Sequence, residues 1–381
     1  MKKMLGITFL LIIGMCFVVW KSVNNDYQTR IAPINNSVKE YKCGKNAPRS
    51  YLFLESKIES VRRLGELEGM CESDITDKVL VRTYIPSSKE LASIQSAKLS
   101  SSLLELKDMN LKPIIFLEVS PSWGSGNFSS LAAGVYNTYI TDFLSTIYDS
   151  GIRDEDIYGW VIIPRPNLPY WNKLNIAPSD FKKYYLILYE DIRKMFPGSD
   201  IGVFFSSSTY QEAPIDWSER DYRSLVPYIT DIPKEKITIL GIDGYPSIPS
   251  VGSNGGIVIN PAEYLPKFMI EELNSLIKAK KIVIGTNTFA ALETEDKEKT
   301  VYMPVDVRRT ILNDVIKVMR SYKLDGAEVS LLVGNPSLID YKSVDWEYFS
   351  TQFNQDTKNK AIFIDFLREL YKNNINLIYS Y

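Results

Sequence analysis

Apolar and polar positions along this chain alternate between two periods. Short runs rich in Val, Ile, Leu and Phe read as strands buried on both faces, and between them apolar residues recur at the three- and four-residue spacing of helices packed on one side. The strand-like runs are Ser50 to Ser56 (SYLFLES), Lys78 to Pro86 (KVLVRTYIP), Leu111 to Pro121 (LKPIIFLEVSP), the run opening at Gly159 (GWVIIPRPNLPYW), Asp200 to Ser208, Lys236 to Pro246, Lys280 to Phe289 and Gly326 to Asn335. Helices are expected over Lys57 to Gly69, after Pro86 through Asn110, around Val135 to Ser150, from Ser179 as N-cap to the stop at Pro197-Gly198, around Pro261 to Lys278 and Val305 to Tyr322, and over Lys360 to Asn374. The last residues, INLIYSY, offer a terminal extended segment.

Eight such strands, most followed by a helix, predict a (β/α)8 barrel (a TIM barrel) spanning residues 49–381. An open doubly wound sheet alternates in the same way. Its nucleotide-binding versions, however, need a Gly-rich first turn, and here the first run leads into Glu55-Ser56-Lys57. The Asn254-Gly255-Gly256 turn lacks the Lys-Ser/Thr and the helix start of a phosphate loop. No cofactor is expected.

The barrel is preceded by a different kind of segment. Leu5 to Trp20 is an unbroken, mostly apolar run behind Lys2 and Lys3, closed by Lys21, and no small-x-small cleavage site follows it. Residues 1–21 are therefore expected to be an uncleaved signal anchor, a transmembrane helix seated in the lipid bilayer with the positive N-terminus inside and the remainder outside the cytoplasm. Met15 before Cys16 argues against a lipoprotein. Residues 22–48, rich in Asn and Lys, read as a polar extracytoplasmic tether. In an oxidising compartment Cys43 and Cys71 either pair or remain thiols, and without His they make no zinc site.

Composition narrows the chemistry. Across 381 residues the net charge is −2, which gives no electrostatic reason to bind nucleic acid. There is no histidine, so Ser/His/Asp and Cys/His catalysis and His-ligated metals are excluded, and proton transfer falls to carboxylates, Tyr or Lys.

Strand alternation places Leu80, Arg82 and Tyr84 on one face, Phe116 and Glu118 on another, and Gly241, Asp243 and Tyr245 on a third, so polar groups converge at the strand C-terminal ends. On these residues the region after the tether resembles the clan A (β/α)8 glycoside hydrolases. The resemblance implies that Arg82, on the second strand, supports a nucleophile, that Tyr245, after the sixth, approaches it, and that Trp171 forms a sugar platform. In that clan the fourth strand ends in Asn-Glu and the seventh in a nucleophilic Glu. Here Pro164-Arg165 stand at the first place, and Thr286 and Asn287 lie near the second. An Arg does not donate its proton near neutral pH, so the clan's retaining chemistry, which needs two carboxyl groups roughly 5 to 5.5 Å apart, does not transfer.

Glu118 and Asp243, with Glu55 in reserve, form an alternative catalytic pair suited to an inverting spacing. The competing reading has them neutralise Arg82 and Arg165 in a buried ion network. Arg165 is either an internal salt-bridge partner or a clamp on a carboxylate or phosphate of an acidic glycan. Asn167, Asn287 and Trp123 complete the expected substrate-binding set, and Tyr170, Tyr210 and Trp217 also lie after predicted strands. Trp160 reads as core, and Glu328, near a strand start, as a stability residue. The expectation is a membrane-anchored, extracytoplasmic glycoside hydrolase-like barrel that binds, and with a working carboxylate pair hydrolyses, a carbohydrate polymer. The alternative is an inactive pseudoenzyme serving as a carbohydrate-binding or envelope scaffold.

Overall fold

The computed structural model describes residues 78–108, 111–119, 133–167, 176–206, 225–243, 249–251, 257–259, 267–286, 291–293, 300–302, 305–321, 326–333, 369 and 375–379. The Leu5 to Trp20 run, the tether, Cys43, Cys71 and the Ser50 to Ser56 run lie outside them. Among the described residues no helix is long and apolar enough to cross a membrane.

The described chain is built on a closed ring of parallel strands. In order come β1 (Lys78–Tyr84), α1 (Lys89–Asp108), β2 (Lys112–Glu118), α2 (Asn137–Asp149), β3 (Gly159–Ile162), α3 (Pro178–Met195), β4 (Ile201–Ser206), α4 (Val226–Ile229) and β5 (Ile239–Asp243). A hairpin of β6 (Pro249–Val251) and β7 (Ile257–Ile259) follows, then α5 (Lys267–Ile277) and β8 (Lys281–Thr286). A second hairpin, β9 (Ala291–Glu293) and β10 (Thr300–Tyr302), precedes α6 (Val305–Met319), β11 (Glu328–Val333) and β12 (Asn376–Tyr379). The ring runs β1-β2-β3-β4-β5-β8-β11-β12 and returns to β1.

One strand differs from the sequence expectation. The ring closes through β12, the terminal segment, which pairs Lys78 with Ile378 and Val79 with Tyr379. β1 thus has β12 on one edge and β2 on the other. By ring order the GWVI strand is third, not fourth.

Local chemistry explains the helices. Ser88 caps α1, its Oγ accepting from the Leu91 N–H at 3.2 Å. The α3 helix starts earlier than Ser179 suggests: Ala177 stands at the N-cap and Pro178 at the first position, where its missing N–H costs no bond. Phe181, Tyr184, Tyr185, Leu188 and Ile192 then share one buried face.

Side chains sort into two layers. Val79, Trp160, Phe205 and Ile242 belong to the core between ring and helices, while Leu80, Ile114, Phe116, Val161, Phe204 and Val283 fill the ring itself. Strand starts close the ring with charge. The Tyr158 hydroxyl meets Ser330 Oγ at 2.9 Å and donates to Glu328 Oε1 at 3.2 Å, and Lys281 Nζ lies 2.8 Å from Asp200 and 4.0 Å from the Tyr158 ring centre. Glu328 thus stands in the stabilising layer where its sequence position put it.

Burial raises the Tyr158 phenol far above its ordinary value of 10.0, opposed by the Ser330 hydrogen bond and assisted by Glu328. Burial also raises Tyr184 and Tyr185. Below about pH 10 folded and unfolded chains hold these protons alike; above it the unfolded chain releases them while the fold retains them. Stability is therefore expected to be undiminished by these groups up to about pH 10. Above that it should fall by up to ~1.4 kcal/mol per pH unit for each such tyrosine. Denaturation midpoints measured across that range, with tyrosinate absorbance, check this; Tyr158→Phe should lessen the slope.

Candidate functional site

The C-terminal ends of the strands carry polar groups above the largely apolar filling of the ring. Register fixes the first set: Arg82 lies beside Phe116 and Tyr84 beside Glu118 across the β1–β2 ladder. Arg82 Nε faces Glu118 Oε1 at 3.4 Å, with side chains 30% and 13% exposed. Among the described residues neither of these two atoms has a hydrogen-bond partner, so the contact is an ion pair and not a bonded fork. The Arg82 half of the expected ion network is present. Beneath it Phe116 and Phe204 pack with ring centres 5.1 Å apart.

The second set is built by an irregular turn. β3 pairs with β4 only at Trp160 and Val161. The chain then swings out through Ile163 and Arg165, whose φ angles are 46° and 58°. A β-branched residue at positive φ, directly before a proline, sits in a costly region of backbone space, on the order of 1–3 kcal/mol. Hydrogen bonds hold it there: Ile163 N donates to Leu117 O at 3.0 Å and Arg165 N to Phe204 O. Asn167 completes the return by imitating a strand. Its Nδ2 donates to Ser206 O at 2.8 Å and its Oδ1 accepts from Ser206 N at 3.0 Å. The result puts the Arg165 guanidinium 5.6 Å from the centre of the Phe204 ring, over the top of the barrel filling.

Asp243 ends β5, register-paired with Ser206 on one side and Gly285 on the other, so its backbone belongs to the same mouth. The structure therefore brings Arg82, Glu118, Arg165, Asn167 and the Asp243 position to one end of the ring. Trp123, Trp171, Tyr245 and Asn287 lie outside the described residues. Ser206, which the sequence pattern did not single out, clasps Asn167, and Tyr84 stands at the same strand end as Arg82. Among the described residues no His, Cys, Asp and Glu cluster is fit to hold a metal.

Ring order changes how the resemblance to clan A is counted. The fourth ring strand, β4, ends at Ser206 and continues Ser207-Ser208, and the seventh, β11, ends at Val333 before Gly334-Asn335. A Glu is absent from these strand ends, as from Pro164-Arg165 and Thr286-Asn287. In ring order Arg82 lies on the first described strand and Asp243 ends the fifth.

No family model matches the chain, and no curated protein does. Solved structures similar to it include a fungal β-1,4-galactanase, 12% identical over 68% of this chain and 78% of that one, with a TM-score of 0.46. A β-glucosidase from Thermotoga maritima in complex with deoxynojirimycin is 11% identical over 83% of this chain and 86% of that one, with a TM-score of 0.48. The barrel class rests on the strand pairing itself, and no residue role is carried over from these similarities.

Proposed function

We propose that this chain is an extracytoplasmic barrel, held at the membrane by Leu5 to Trp20, that binds a carbohydrate polymer at the C-terminal mouth of its strands. The Arg82–Glu118 pair supports this reading. Conserving stability does not require opposite charges at that end of an apolar-filled ring, whereas a polyhydroxylated ligand needs both donors and acceptors there. Binding without cleavage is the favoured form. Glu118 is already engaged by an arginine, and the strand ends at which clan A keeps its carboxylates hold none under either count.

Hydrolysis by Glu118 and Asp243 is the second reading, favoured by their common position at strand C-terminal ends. The purified full chain, incubated with neutral and uronic-acid polysaccharides, is expected to bind without releasing reducing ends. Release that drops by about 10²–10⁴ in both Glu118→Gln and Asp243→Asn would establish the acid–base pair instead.

A further inference from the structure

We infer that Tyr84, together with the Arg82–Glu118 pair, forms a subsite for one neutral pyranose ring, with Tyr84 as its stacking platform; this rests on the carbohydrate reading above. Tyr84 is the last residue of β1 and is 42% exposed, whereas the aromatic residues of the ring interior below it, Phe116 and Phe204, are fully buried. It stands directly across from Glu118 in the β1–β2 register and two residues beyond Arg82 on the same strand face. Adjacent strands lie about 4.8 Å apart, so an aromatic plane, a guanidinium and a carboxylate meet within the span of one small ring.

The chemistry of the three groups selects the ligand. Arginine only donates hydrogen bonds and an ionised carboxylate only accepts them, so the pair reads hydroxyls, which do both. An anion at this spot meets the Glu118 charge and a cation meets Arg82. A purely apolar ligand would leave both charges desolvated without partners. A pyranose has an apolar C–H face for the phenol ring and a rim of hydroxyls for the charges beside it, and the tyrosine ring offers that flat surface at little cost in side-chain entropy.

Titration of the full chain with neutral gluco-, galacto- and manno-oligosaccharides tests the assignment. Tyr84→Ala should weaken the best of these by about tenfold, and Tyr84→Phe, which keeps the ring, by no more than about twofold. Melting temperatures of both variants, measured alongside, separate ligand loss from unfolding. Unchanged affinity in Tyr84→Ala, or equal losses in the two variants, overturns the stacking subsite while leaving carbohydrate binding intact. Failure of the unmodified chain to bind any of the three overturns the carbohydrate reading and the subsite with it.

Discussion

Gly202→Ala is expected to destabilise the barrel by about 3 kcal/mol, the upper part of the range for overpacked cores. A Cβ at Gly202 would stand 1.9 Å from the backbone oxygen of Ile239 and 2.5 Å from its carbonyl carbon. That oxygen belongs to the neighbouring strand of the ring, so relief requires β4 and β5 to separate where they are paired at Gly202 and Ile239. Two other glycines calibrate the effect. A Cβ at Gly241 would meet the Phe204 ring at 2.1 Å, a buried but displaceable side chain, and one at Gly159 would meet the terminal methyl of Ile239 at 2.3 Å. Losses should therefore fall in the order Gly202, Gly241, Gly159, measured by chemical denaturation of the full chain. Equal or reversed losses would contradict the backbone clash. Displacing Phe204 also shifts the surface beneath Arg165, so Gly241→Ala should disturb the mouth more than its stability loss alone implies.

Trp160→Ala is the second large effect, with about 3–5 kcal/mol lost. Trp160 is wholly buried on the outer face of β3, its ring centre 5.4 Å from that of Phe196, which in turn meets Tyr148 edge-on. Removing it leaves a void between ring and helices that the packed neighbours cannot fill. Trp160→Phe should cost under about 1.5 kcal/mol, because the indole N–H is buried without a hydrogen-bond partner among the described residues and its removal offsets part of the lost contact. A Phe variant as damaged as the Ala variant would show that shape, not the buried volume, governs this position.

Several of these positions could be read before the fold was seen. Trp160, inside an apolar run, was legible as core, and Glu328 at a strand start as a stabilising residue, since both follow from strand position alone. Arg82 and Glu118 were legible as inward-facing near the mouth because side chains two apart on a strand share a face. Their ion pairing was open, since it depends on which strands become neighbours. The Ile163 to Asn167 turn was not legible in its geometry. Its two positive φ angles are set by bonds to Leu117, Phe204 and Ser206, residues distant in the chain, and local preference for Ile before Pro points the other way. The same holds for Ser179, a good N-cap by type that the neighbouring Pro178 displaced.

Period and residue type narrowed the architecture to a closed parallel ring or an open doubly wound sheet, because alternating buried strands and one-sided helices have few stable solutions. Tertiary contact alone chose the partners. It brought the chain's last strand beside Lys78 to close the ring, turned Arg165 over Phe204 through the clasp of Asn167 on Ser206, and set Tyr84 against Glu118. Pairing between distant segments depends on the free energy of the whole assembled ring, and no short stretch of residues contains that quantity.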